Sequence, residues 1–125
     1  MLLGYLGYER KYSFLDKDRI ERITEVRLPE FKLIEYNKGR TGFNGDYSDH
    51  LTIEFKDSLT NEFYAALDSL VEKEVWSKRE NRYSFSAMWG NGLPAPKGEN
   101  KEEDITFSIT IEKSTNTAEI RTGLW

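Results

Sequence analysis

The chain has 125 residues, 18 of them basic and 22 acidic, a formal net charge of −4, and no cysteine. That length is typical of one domain able to bury its own core, and the missing cysteines exclude thiol catalysis, zinc–thiolate sites and iron–sulfur clusters. The two signs of charge are interleaved without a basic stripe to neutralise a row of phosphates, so nucleic acid is not an expected partner.

Met1 to Tyr8 is almost wholly apolar, and Glu9-Arg10-Lys11 follows abruptly. Eight residues cannot span a bilayer, and no positive region precedes them, so neither a transmembrane span nor a signal peptide is expected here. Two readings stand: residues 1–11 are an N-terminal extension docked on the core, or the remnant of a trimmed anchor. Next, Asp18 and Glu21 have the spacing of a capping box with Asp in the Ser/Thr role, and Ile20, Ile23 and Val26 recur every three residues. This predicts a helix over 18–26, stopped by Pro29, because proline biases the residue before it away from helical geometry.

Phe31 to Tyr36 reads as a strand, with turn signals at Asn37-Lys38-Gly39 and Asn44-Gly45-Asp46 bracketing a loop. Leu51, Ile53 and Phe55 alternate with Thr52, Glu54 and Lys56, the pattern of a strand with one wet face. Thr60 can cap a second helix, Glu62 suits its positive end, and Phe63, Leu67, Leu70 and Val71 form an apolar stripe. Three further strands follow. Tyr83, Phe85 and Ala87 alternate with Ser84, Ser86 and Met88; Ile105, Phe107, Ile109 and Ile111 alternate with Thr106, Ser108, Thr110 and Glu112. A short turn, Ser114-Thr115-Asn116, then leads to Ala118, Ile120 and Leu124, whose neighbours Glu119 and Arg121 point the other way, so the last two strands should form a hairpin.

The order α-β-β-α-β-β-β predicts one α+β domain over residues 1–125. It should be two-layered, with an antiparallel sheet of about five strands and two helices on one face. The wet positions, Ser84, Ser86, Thr106, Ser108 and Thr110 among them, would then line an open, hydroxyl-rich sheet face suited to a protein or glycan partner. Its lack of large apolar side chains argues against an obligate hydrophobic dimer. A second candidate surface is the long segment from Trp89 to Asp104, roughly 16 residues and beyond the usual length of such connections. Trp89, Asn91 and Leu93 could form a gripping platform there, or Trp89 could simply cover the core edge.

Other chemistry is weaker. Glu102-Glu103-Asp104 lacks the shaped loop of oxygens that calcium requires, so no metal site is expected. His50, the only histidine, has Asp46, Ser48 and Asp49 nearby in sequence, but no Gly-x-Ser-x-Gly elbow exposes Ser48, and turns use such residues anyway. No cofactor fingerprint is present. The stretch Ile23-Thr24-Glu25-Val26-Arg27-Leu28-Pro29-Glu30-Phe31 ends a short helix in an apolar–Pro step, feeds two strands and precedes a helix at Asn61–Leu70. Over about residues 18 to 75 this resembles small uncharacterised bacterial cell-envelope α+β domains. The resemblance implies an extracytoplasmic placement rather than a cytoplasmic one, and it transfers no functional residue.

The leading expectation is a non-enzymatic binding module. One competitor is an immunity or inhibitor protein, whose acidic surface would oppose a basic active site. The other is a small-ligand carrier or enzyme with a pocket between the long loop and the second helix, lined by Trp76, Tyr83 or Trp89.

Overall fold

The computed structural model describes residues 16–38, 47–90, 92–99 and 104–124. The N-terminal segment 1–11 and residues 39–46, 91 and 100–103 lie outside them, which takes in Gly39, Asn44, Gly45, Asp46, Asn91, Glu102 and Glu103. The fold is α+β. Among the described residues two helices, α1 (Lys17–Thr24) and α2 (Asn61–Glu72), accompany six strands: β1 (Phe31–Lys38), β2 (Tyr47–Phe55), β3 (Ser77–Arg79), β4 (Arg82–Trp89), β5 (Ile105–Glu112) and β6 (Thr117–Leu124). The strands form one sheet in the order β1-β2-β6-β5-β4-β3, and every neighbouring pair is antiparallel.

Among the described residues the count is therefore six strands rather than about five, and the order is α-β-β-α-β-β-β-β. The added strand, β3, is three exposed residues, Ser77-Lys78-Arg79. It buries nothing, so it leaves no apolar alternation to read. The β5–β6 hairpin forms as expected, and β6 also lies against β2, which closes the sheet between segments far apart in sequence.

One face of the sheet carries the core. Leu51, Ile53, Phe55, Tyr83, Phe107, Ile109, Ile111 and Ile120 are each at most 1 % exposed, and they cluster with Ile20 and Ile23 of α1 and Phe63, Tyr64, Leu67 and Leu70 of α2. Aromatic rings tie α2 to the sheet, with Phe55–Phe63 centroids 6.3 Å apart and Tyr64 stacked on Tyr83 at 5.9 Å. The helix signals act differently from the sequence expectation in α1. Asp16, not Asp18, is the N-cap, its carboxylate accepting from the Asp18 N–H, while Glu21 accepts from the Leu28 N–H at 2.6 Å. The helix ends at Thr24 because Glu25 takes a left-handed conformation (φ 64°), several residues before Pro29. In α2 the Thr60 hydroxyl accepts from the Phe63 N–H, as its position implied.

The two sheet edges differ. β1 carries a bulge between Leu33 and Glu35 that leaves Ile34 without a partner and 48 % exposed, and it bears Lys32 and Glu35. Bulges and charges of this kind discourage another strand from adding there. On the far edge β3 covers only Arg82 to Ser84 of β4.

Candidate functional site

The face opposite the helices is laid out in rows by the strand register. One row runs His50–Arg121–Ser108–Ser86, across β2, β6, β5 and β4. The next runs Thr52–Glu119–Thr110–Ser84, and a third runs Glu54–Thr117–Glu112–Arg82. Thr106 and Met88 pair in the row on the other side. Five of the hydroxyl residues singled out in the sequence, Ser84, Ser86, Thr106, Ser108 and Thr110, thus stand together on one surface. The reason is the two-residue period of a strand: every second side chain emerges on the same face.

That surface is concave. A polar hollow of about 420 Å³ lies over its centre, lined by Arg82, Ser84, Ser108, Thr110, Glu112, Thr115, Thr117, Glu119 and Arg121. A shallower one of about 290 Å³, bounded by Ser86, Met88, Thr106 and Ser108, adjoins it and shares Arg121. Charges within the polar hollow are partly matched. Arg82 donates to Glu112 at 3.2 Å, Glu119 lies 3.7 Å from His50 Nε2, and the Ser84 and Thr110 hydroxyls are 3.4 Å apart. Arg121 is the exception: among the described residues it has no hydrogen-bond or ion-pair partner, although it sits in the middle of the face. No Trp, Tyr or Phe occupies any of these rows. Of the lining residues, Arg82 and Thr117 escaped the sequence reading, yet each continues the alternation of its strand by one further step.

The long connection after β4 is built differently from an exposed platform. Trp89 belongs to the inner face and is only 1 % exposed, whereas Leu93 is 43 % exposed, so the two do not share a surface. Leu93 is instead folded back on Gly90, its N–H donating to the Gly90 carbonyl at 2.9 Å. Farther along, Glu99 straps the segment to α1. Its carboxylate accepts from Arg19 Nε at 3.1 Å and from Arg22 at 2.8 Å, and Arg22 Nε donates to the Lys97 carbonyl at 2.6 Å. Burial alone would raise the Glu99 pKa, but the hydrogen bonds and positive charges of Arg19 and Arg22 outweigh it and hold the carboxyl below its usual range. Gly98 makes the approach feasible: at φ +84°, a Cβ there would lie 2.8 Å from Arg22 Nε.

Between this strap, the end of α1 and β4 is a hollow of about 500 Å³, lined by Ile23, Phe85, Ala87, Trp89 and the Pro94-Ala95-Pro96 stretch among others. It lies beside α1, not between the loop and the second helix, and Trp76 and Tyr83 do not line it. Trp76 is buried, its indole N–H donating to the Thr24 carbonyl at 2.8 Å, and the Tyr83 hydroxyl bonds Asp68 at 2.7 Å.

The remaining candidate chemistry is dispersed. Asp49 and His50 are consecutive on β2 and so point to opposite faces, Asp49 buried on the inner side and His50 on the open one. Among the described residues no cluster of His, Cys, Asp and Glu could hold a metal ion, and no helix is long and apolar enough to cross a membrane. No family model, curated protein or solved structure matches the chain.

Proposed function

We propose that this chain is a non-enzymatic binding module whose open sheet face engages a protein partner. The observation that carries this reading is Arg121: an arginine without a partner among the described residues, central in a hydroxyl-lined hollow. A planar guanidinium beside Ser108, in a hollow that Thr110, Thr117 and Glu119 also line, offers directed donors to a carboxylate or backbone carbonyl, while the matched Arg82–Glu112 pair adds register rather than net charge. The rows span four strands, about 15 Å across and about 20 Å along, which suits a polar, reversible contact better than an obligate dimer. The lack of an aromatic ring on these rows removes the stacking platform on which a sugar ring would rest, so protein is favoured over glycan.

The test uses two variants, Arg121→Glu at an exposed residue and Thr110→Arg at a half-buried one, the second filling the hollow. Parent and variants are immobilised, and proteins retained from the source cell are quantified, with melting temperature as the folding control. Proteins retained by the parent should be lost by both variants at unchanged stability. Retention of the same set by all three chains refutes the assignment of this face.

A further inference from the structure

We infer that the outer edge of β4 at Ser86 and Met88 is a docking site for an extended peptide, which adds to the sheet as a strand. This inference rests on backbone geometry and is independent of the open-face reading.

Alternate residues of a strand direct their N–H and C=O groups to opposite sides. The Asn81 carbonyl accepts from the Lys113 N–H, just beyond β5, at 2.9 Å, so the odd-numbered residues of β4 face β5. The even-numbered residues therefore face outward. Arg82 and Ser84 pair with Arg79 and Ser77 of β3, and farther on the Gly90 carbonyl accepts from Leu93. Between them Ser86 and Met88 have no partner for their outward backbone groups among the described residues. Two N–H and two C=O groups are thus presented in a row, and the distance from Ser84 to Gly90 is about 20 Å.

The row is open because β3 cannot continue along it. An extension of β3 past Ser77 would set Trp76 opposite Phe85, but Trp76 leaves the sheet for the core, pinned through its indole N–H to Thr24 and packed on Phe85 with centroids 5.8 Å apart. This edge also lacks the protection seen on β1: Phe85 to Trp89 contains no charge and no bulge. An uncharged, regularly paired edge is a template for an added strand.

The surroundings supply places for side chains of both parities. On the inner side the hollow of about 500 Å³ offers Phe85, Ala87, Pro94 and Pro96, and on the open side the hollow of about 290 Å³ offers Ser86 and Met88, which is 48 % exposed. Ala87 and Met88 border both. An added strand of about five residues would place apolar side chains against the prolines at every second position and smaller or polar ones beside Ser86. The open stretch is too short to support a stable pairing of two copies of this chain, whose interfaces need far more area, whereas a peptide needs only the backbone bonds and the loop-side hollow, which combines the prolines and Ala87 with Arg22, Glu25 and Lys97.

The probe is a phage-displayed library of random heptapeptides panned on the full chain, followed by a synthetic copy of the most enriched sequence. Ser86→Pro removes one outward N–H from an edge position without breaking a bond inside the sheet. Enriched peptides with apolar residues at alternate positions are expected. They should slow hydrogen exchange at the Ser86 and Met88 amides at least tenfold, and Ser86→Pro should weaken them at least tenfold. Thr110→Arg, on the open face, should leave their affinity unchanged. The proposal is overturned by no enrichment, by equal binding to Ser86→Pro, by protection elsewhere on the chain, or by a concentration-dependent dimer that Ser86→Pro abolishes. Should Ser86→Pro fail to fold, the exchange pattern of the parent chain decides alone.

Discussion

Glu99 offers a quantitative test of how the long connection is held. Its side chain is 7 % exposed and accepts from two arginines that are themselves 19 % and 36 % exposed. Removing one partner of a fully buried pair costs about 3–5 kcal/mol, because a buried charge is left behind. Here both arginines can regain water, so the cost is nearer that of the lost charge-assisted hydrogen bonds, and Glu99→Gln, which keeps one acceptor, should destabilise by about 1–2 kcal/mol. For a domain of this size that corresponds to a fall in melting temperature of roughly 3–10 °C. The pH dependence has a definite sign. A carboxyl whose folded pKa lies below its unfolded value of about 4.3 contributes its full stability above that pH and loses it as pH falls through the folded value. Thermal melts of parent and Glu99→Gln at pH 7, 5, 4 and 3 should therefore differ at pH 7 and converge in the most acidic samples. A difference that stays constant down to pH 3, or none at pH 7, refutes the strap as an ionic device.

Two other positions give sharp contrasts. Asn116 sits at φ 57° and clasps the β2–α2 connection, its amide donating to the Phe55 and Asp57 carbonyls and its oxygen accepting from the Leu59 N–H. Asn116→Ala loses these bonds and strains the backbone, so in urea unfolding it should cost about 2–4 kcal/mol, with Asn116→Gly milder by about 1 kcal/mol because glycine accepts that φ. Tyr83→Phe removes the bond to Asp68 and should cost about 1 kcal/mol by the same assay. Burial, then the Asp68 bond, raises the Tyr83 pKa, so the contribution of the neutral phenol is complete below about pH 10 and is lost as pH rises through the folded value. Ultraviolet titration should find Tyr83 ionising later than an exposed tyrosine.

What could be read from the sequence was whatever periodicity encodes. Leu51-Ile53-Phe55 and Ile105 to Ile111 announced their inner faces, and the same alternation delivered Ser84, Ser86, Thr106, Ser108 and Thr110 to the outer one. β1 was harder: its bulge at Ile34 shifts the inward series from Phe31 and Leu33 to Tyr36, which breaks the period of two. β3 carried no signal, since three exposed polar residues look the same in a strand as in a turn. Pairings between distant segments were equally silent. Nothing in the neighbourhood of Asp49 to Phe55 states that β6 will lie beside it, or that Glu99 will meet Arg19 across 80 residues. The Trp89 platform was the most instructive case. Trp89 does keep step with the inner series Tyr83-Phe85-Ala87, and an odd position on that strand is committed to the core whatever an indole might do at a surface.

The uncovered edge of β4 has its cause in Trp76. By turning inward to fill the core it keeps β3 from starting before Ser77, and so leaves the backbone of β4 at Ser86 and Met88 uncovered beside the loop-side hollow. A residue with two roles of this kind predicts coupled effects. Trp76→Phe keeps an aromatic in the core but drops the indole bond to Thr24, which should cost about 1–2 kcal/mol in urea unfolding. The same change loosens the segment that turns away from β4, so the Thr24-to-Leu28 stretch should exchange faster while β3 extends along the edge and the Ser86 amide exchanges more slowly. Unchanged exchange at Ser86 in Trp76→Phe would mean that the indole anchor is not what keeps the edge open.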